Sequence, residues 1–533
     1  MYKELILLII FLVLLLGCCD KPESQNKLSL SSENNLPFAK SLQNALDLAA
    51  KIGNGKGISA SIIIPNKGSW AGASGISHEN TPVSPDMLFN IASVGKNFLA
   101  TLVLKLCEEG VLRLDDPLHK WLPDYPNIDN RITVRQLLNH TSGIFDFVEH
   151  PTSPYRIPFN SIEFEKPLSH SMILKEMISE PYFQPGKGWH YSTTNSILLH
   201  IIVEKATQSS VTQEVQERFI EPLGLSHTVI LDEKTTSIPS NFKVAHPWYD
   251  VDGNGTSEDI AAKPKTWSAT LSPLMIFSSA EDLSKWSQAL YSGKVISEGS
   301  LVQMLTFHRP TPGEPYTGYG LGTIEMKYGG IEMWGHLGWQ YGYLTAMLYD
   351  PEHSASISLL INEINVLFGN CALLAIWLVL QFYLSTFLFI MVIISIISFV
   401  IMFLLWPLQL TISLFRFRKS MKLIQKNKDR KKALVMKFTA FISAIFVLTS
   451  VILYFLYTMN AETPLSWAEG SLLVKIVLLL SYLSASLSVL MIVWTVSAWK
   501  RPCWSLFGRF HFTVVTIALL VMIRFLITWN ILF

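Results

Sequence analysis

Two rhythms of apolar and polar positions run along the first part of the chain. Over residues 93–109 the apolar side chains Phe98, Leu99, Leu102, Val103 and Leu106 recur three and four positions apart, which predicts a helix with one buried face. Gly110 stands where a left-handed C-terminal stop belongs. Runs at 59–64, 320–326, 331–334, 343–349 and 355–361 are instead rich in β-branched and aromatic residues and bounded by turn residues, so they read as strands. These strands come from both ends of one segment, residues 45–384, while helices and long loops fill 93–310. The predicted fold class is therefore α+β, an antiparallel sheet flanked by helices plus a helical subdomain.

Past residue 384 the periodicity gives way to four apolar stretches, 385–405, 440–459, 471–496 and 513–533, each long enough to span a bilayer as a helix. The expectation is an all-α transmembrane domain of four helices over 385–533, with residues 372–384 belonging either to the end of the first domain or to the first span. Basic residues orient it. Ten lysines and arginines between Arg416 and Lys437 separate the first two spans, and Lys500, Arg501 and Arg509 separate the last two. The second-to-third connection carries Glu462 and Glu469 without a lysine or arginine. The positive-inside rule places the two basic loops in the cytoplasm and the 45–384 domain outside.

The N-terminus agrees. Lys3 precedes an apolar run at 5–16 with the length of a signal-peptide core, ending in Leu15-Leu16-Gly17-Cys18, which resembles a bacterial lipobox. Residues 1–17 are read as a lipoprotein-type signal peptide, Cys18 as the lipidated residue that meets membrane lipid, and 18–44 as a flexible linker. The alternative is a short uncleaved anchor.

Composition adds the setting. Of 533 residues, 50% are hydrophobic and 16% charged, too apolar for an ordinary soluble enzyme. The net charge of +1 argues against a nucleic-acid partner. Cys107 is the cysteine inside the predicted core and reads as a buried free thiol. The 13 histidines include no zinc spacing, so neither a metal nor another cofactor is expected.

The chemistry starts at Ser93-Val94-Gly95-Lys96. A serine hydroxyl needs a neighbour to take its proton, and on a helix positions i and i+3 share a face, so Lys96 is placed beside Ser93. The helix N-terminus predicted at Ser93 would also favour negative charge on an attacked carbonyl oxygen. The four-residue pattern by itself is weak, since residues 24–27 and 497–500 fit it too.

Its surroundings are specific. Phe89-Asn90-Ile91-Ala92 leads in. Leu114-Asp115-Asp116-Pro117, Leu137-Leu138-Asn139-His140-Thr141-Ser142-Gly143, Tyr191-Ser192, Tyr319-Gly320-Leu321-Gly322 and His336-Leu337-Gly338 follow in order. This series resembles the serine β-lactamase and penicillin-binding-protein superfamily over about residues 45–370, in the branch similar to class C β-lactamases, D-aminopeptidases and related esterases. The resemblance implies Ser93 as the acylated nucleophile, with Lys96 and Tyr191 as a coupled proton relay. It places His336 where relatives carry Lys-Thr-Gly or His-x-Gly on a strand lining the site, and makes His336 a catalytic candidate. Gly338 would let substrate backbone come close, and the backbone N–H of Trp339 is the implied second oxyanion donor. Thr193 occupies a substrate-contacting position where relatives usually have Asn, and one hydroxyl cannot supply the donor and acceptor of a carboxamide at the same reach. Asn195 is a candidate replacement.

The expected function is an exported, membrane-anchored serine hydrolase with the domain facing the extracytoplasmic side of a bacterial membrane. It would form an acyl-enzyme on Ser93 from a small-molecule or peptide amide or ester, cell-wall peptide among the candidates. The alternative is a penicillin- or peptide-binding sensor that signals through its membrane helices.

Overall fold

The computed structural model describes residues 36–154, 156, 169–231, 237–262, 274–310, 314–328 and 331–365, with single positions beyond them as far as 516. The signal peptide at 1–17, Cys18 and the linker up to residue 35 lie outside the described residues. So do the spans expected at 385–405 and 440–459 and all but scattered positions of those at 471–496 and 513–533. Among the described residues no helix is long and apolar enough to cross a membrane.

Residues 39–44, expected in the linker, are instead the first turns of α1 (Ala39–Gly53). Leu42, Ala45, Leu46 and Ala49 fall on one helical face and are buried, and Gln43 Nε2 donates to the Ala73 carbonyl at 3.0 Å. Leu36 and Phe38 ahead of the helix are buried as well. The folded domain thus begins by residue 36, because an amphipathic helix has an apolar stripe to cover.

The front of the domain supplies β1 (Gly57–Ile64), β2 (Gly68–His78) and the short β3 (Thr81–Pro82). The middle supplies β4 (Phe89–Asn90), β5 (Thr228–Leu231), the pair β6 (Trp248–Tyr249) and β7 (Glu258–Asp259), and β8 (Met275–Ser278). The back supplies β9 (Gly318–Tyr319), β10 (Ile324–Tyr328), β11 (Ile331–Gln340), β12 (Tyr343–Asp350) and β13 (Ala355–Ile361). Eight of them make one sheet in the order β3-β2-β1-β13-β12-β11-β10-β9. Front and back meet where β1 pairs antiparallel with β13, Ile58 opposite Ile361. The antiparallel sheet built from both ends of the segment is present as expected. The expected strand at 320–326 is broken, since β9 ends at Tyr319 and β10 starts only at Ile324, with Gly322 at a φ of 66° between them.

Helix α2 (Gly95–Glu108) is the periodic segment, and Phe98, Leu99, Leu102, Val103 and Leu106 are each no more than 1% exposed. Phe98 stacks on Trp286 at 4.0 Å between ring centroids; burying such a ring contributes about 2–3 kcal/mol. Gly110 follows the C-cap with a φ of 76°, as a left-handed stop. The helix starts two residues later than expected. A 3-10 turn, Ala92–Val94, precedes it because the chain enters through Ala92 at a φ of 50°. A Cβ at Gly95 would lie 2.7 Å from the Leu274 carbonyl oxygen, so that position must be glycine. Helix α3 is Thr193–Thr207 and α4 is Ala280–Tyr291. The serines of β1 are fully buried, and α4, whose Trp286 meets Phe98 of α2, closes against them through Ser284 Oγ donating to Ser61 O at 3.2 Å.

Candidate active site

Ser93 sits in the middle of the 3-10 turn, and the turn is held from beneath. Ile91 N–H donates to Ile276 O at 3.0 Å, Ala92 N–H to Asn90 Oδ1 at 2.8 Å, and Thr345 Oγ1 to Asn90 O at 3.4 Å. A left-handed alanine costs roughly 1 kcal/mol, and these bonds over-determine it. One turn further on, Lys96 Nζ donates to Ser93 Oγ at 2.9 Å. Its neighbour Asn97 is buried and anchors α2 to the sheet, donating to Gly322 O at 3.0 Å and accepting from Trp286 Nε1 at 2.9 Å. The amine therefore leaves a helix that is fixed at its own first turn.

Strand β11 runs past the serine turn at Gly338. A Cβ there would stand 2.2 Å from Ile91 O, so the close approach that the glycine permits is that of the protein's own backbone. The glycine is thus needed to seat the turn that carries Ser93. Beyond it, Trp339 is 42% exposed. Gln340 opposite Tyr343 closes the β11–β12 connection, so by the alternation of antiparallel pairs the Trp339 N–H points away from β12. On that outer side β10 has five residues against the ten of β11 and flanks only its first half. The second half of β11 is the edge that carries Trp339.

The Tyr191 segment meets this edge through rings. Lys96 Nζ lies 5.1 Å from the centroid of the Tyr191 ring. Tyr191 packs on His140 at 4.4 Å and edge-on to Tyr319 at 6.0 Å. Tyr319 in turn donates its hydroxyl to His336 Nε2 at 2.9 Å. The structure thus brings Ser93, Lys96 and Tyr191 together and links His336 to them through Tyr319. The His336 ring is 3% exposed, and its Nδ1 donates to Leu337 O at 2.6 Å. Burial, with the nearby Lys96 charge, pushes its pKa down to about 3 against the pull of the Leu337 carbonyl. His336 is accordingly a neutral hydrogen-bond acceptor for Tyr319 in this state, with both ring nitrogens engaged.

Thr193 is buried as the first residue of α3, and its N–H donates to Asp146 Oδ1 at 3.1 Å. Asn195 faces inward: its Oδ1 accepts from Ser142 Oγ at 2.8 Å and its Nδ2 reaches His140 Nδ1 at 3.1 Å. It is fully buried and does not stand in for the missing asparagine. Cys107 is a free, half-buried thiol pushed up to about 11 by burial. Among the described residues no group of acidic, histidine and cysteine side chains is arranged to hold a metal.

The motif reading missed Tyr319, His140 and Asp146 as parts of the site. Asp146 is 6% exposed, caps both Thr193 N and Val148 N, and burial raises its pKa to about 7 although those N–H groups and Lys96 oppose the rise. A carboxyl whose folded pKa stands above its unfolded value stabilises the fold below the unfolded pKa of 3.8. That contribution is lost as pH rises through about 7. Asp146→Asn keeps the Oδ1 acceptor and removes the charge. It is expected to melt several degrees above wild type at pH 8 and to lose that advantage toward pH 4, as differential scanning fluorimetry would record. Equal advantages at both pH values would show that the carboxyl does not titrate in this window.

The family described as Beta-lactamase matches residues 47–365. Penicillin-binding protein 4* of Bacillus subtilis (strain 168) is 28% identical over 295 residues, covering 54% of this chain and 63% of that protein. Esterase EstB of Burkholderia gladioli is 29% identical over 288 residues, covering 51% and 69%. The chain thus spans less than two thirds of the first of these relatives. Among solved structures, the D-stereospecific amidohydrolase from Streptomyces sp. superposes with a TM-score of 0.54 at 29% identity, covering 61% of this chain and 95% of that one. The D-amino acid amidase from Ochrobactrum anthropi SV3, complexed with L-phenylalanine amide, gives 0.57 at 25% identity, covering 65% and 99%.

Proposed function

From a chain that belongs to the Beta-lactamase family of serine hydrolases, we propose an enzyme that cleaves amides or esters through an acyl-enzyme on Ser93. The observation that carries this reading is the 2.9 Å contact from Lys96 Nζ to Ser93 Oγ, with the same amine over the Tyr191 ring. In acylation Ser93 Oγ bonds to the carbonyl carbon and its proton passes to the Lys96–Tyr191 pair. Charge on the carbonyl oxygen is met by the N–H groups of Ser93 and Trp339. Collapse breaks the bond to the amine or alcohol, which leaves with that proton. Water then attacks the ester carbon, and the acid departs as Ser93 recovers its hydrogen.

One feature supports a substrate without a free carboxylate beside the scissile bond: the strand position that carries lysine in some relatives holds a neutral His336. An aminoacyl amide or ester, in keeping with the names of the amidase and esterase relatives, fits such a site better than a peptide ending in a carboxylate. The finer placement in the class C-like branch, the export signal with Cys18 lipidated, and anchoring through four C-terminal spans complete the proposal and rest on sequence alone.

The test is to treat the full-length protein in detergent with a fluorophosphonate probe and to map the adduct by mass spectrometry. The expected result is a single adduct on the peptide holding Ser93, with multiple turnovers of a nitrophenyl ester. An adduct elsewhere overturns the nucleophile. A stable acyl-enzyme from every ester and amide tried, with no turnover, would transfer the reading to a ligand sensor.

A further inference from the structure

We propose that His140 is a positioning residue that sets the phenol of Tyr191, and that it works only as the neutral tautomer carrying its proton on Nε2. The proposal rests on the reading of Ser93, Lys96 and Tyr191 given above.

His140 grips the chain on both sides of Tyr191. Its carbonyl accepts from His190 N–H at 3.1 Å and its Nδ1 from Ser192 N–H at 3.1 Å. The imidazole lies between these two bonds against the Tyr191 ring, 4.4 Å centroid to centroid at 32°. Both grips require the backbone of His140 to turn back, which it does at a φ of 60°. A left-handed histidine is uncommon, and here the strain has a use: it aims carbonyl and ring at the same tripeptide.

A directed chain of hydrogen bonds fixes the tautomer. Ile144 N–H donates to Ser142 Oγ at 3.2 Å, and Ser142 donates its hydrogen to Asn195 Oδ1 at 2.8 Å. That assigns the amide nitrogen of Asn195 to His140 Nδ1, at 3.1 Å. With Ser192 N–H arriving at the same atom, Nδ1 receives two donors and must present its lone pair, so the proton sits on Nε2. The ring meets Tyr319 in a T-shaped contact at 4.6 Å and 73°. The ring is 2% exposed, and the charged or titratable groups that act on it are Lys96 from α2, His336 from β11 and His190. All of these, with burial foremost, hold its pKa well below the ordinary histidine value. Protonating Nδ1 would break the Ser192 bond, release one side of the grip and set a second cation beside Lys96.

The experiment compares His140→Leu, His140→Asn and Ser93→Ala with wild type in full-length protein. Asparagine suits the left-handed backbone, and its Oδ1 stands where Nδ1 did, so it keeps the acceptor. Leucine loses both. For ester hydrolysis, His140→Leu is expected to lower kcat about 30- to 100-fold with KM changed less than about threefold, and to move the acid limb of the pH profile. His140→Asn is expected to stay within about fivefold of wild type with the wild-type profile. Nitrogen-15 NMR of histidine-labelled wild type should show an unprotonated Nδ1 in this residue from pH 5 to 8, a measurement that needs no substitution to fold. A proton on Nδ1, an unchanged kcat and profile in His140→Leu, or equal damage in both variants would each overturn the proposal. Hydrolysis that survives Ser93→Ala would instead overturn the reading beneath it.

Discussion

Ser93→Ala is expected to abolish covalent labelling and to lower kcat for a nitrophenyl ester by at least about 10³-fold, with little change in melting temperature. The two halves of the result have separate causes. The hydroxyl receives one hydrogen bond, from Lys96 at 2.9 Å, and such a bond is worth only about 1 kcal/mol net to folding. The turn around it stays fixed, because Ile91 and Ala92 are bound to Ile276 and Asn90 through groups that the substitution does not touch. Catalysis, by contrast, loses the atom that carries the acyl group. What remains is whatever rate the proposed oxyanion donors, the N–H groups of residue 93 and Trp339, give to direct attack by water. Lys96 and Tyr191 would still stand together, so any residual activity should keep a dependence on pH. A loss of tenfold or less, with the melting temperature unchanged, would mean that another group is acylated.

The parts of this arrangement that were legible in the sequence are those set by local spacing. The pair Ser93 and Lys96 needs only a helical turn to meet, and β13 was found over 355–361 because Ile357, Leu359, Leu360 and Ile361 advertise a buried strand. Strand β2 is not legible in the sequence, since Gly68–His78 is mostly glycine, serine and alanine, and it becomes a strand by pairing along the whole of β1, from Gly57 opposite Gly75 to Ile64 opposite Gly68. That information lies in the partner. Tyr191 and His336 were reached through the order of landmarks, which says that segments converge and not how their rings face. His140 and Tyr319 were inside those landmarks, yet their roles depend on a left-handed backbone at one and a hydroxyl reaching Nε2 at the other. Likewise Asn195 looked like a substitute for the residue missing at Thr193 until α3 turned its amide toward His140. Asp146 had no motif to betray it, because its two bonds go to backbone N–H groups that any residue supplies.

Gly338→Ala should damage stability and catalysis together, and the reason is a contact between two backbones. The added Cβ would stand 2.2 Å from Ile91 O, 3.2 Å from the Ile91 carbonyl carbon and 3.3 Å from the Ala92 Cβ. No side chain can rotate out of the way. Either β11 or the serine turn must move by about 1 Å to restore ordinary contact. The strand is held by its register with β12, Gly338 opposite Thr345, and the turn by Ile276 and Asn90. Overpacking of this kind costs about 1–3 kcal/mol. The turn is the shorter element and carries Ser93, so the displacement separates the nucleophile from the Trp339 N–H across the cleft. A misplacement of that size lowers kcat about 10²-fold or more. Gly110→Ala is the control: its φ of 76° imposes a backbone penalty of about 1 kcal/mol, but a Cβ there meets nothing within 4 Å. Gly110→Ala should therefore lower the melting temperature and leave kcat alone, whereas Gly338→Ala lowers both. If the two variants lose stability equally and Gly338→Ala keeps its kcat, the strand does not press on the nucleophile turn, and the oxyanion site does not depend on the contact between Gly338 and Ile91.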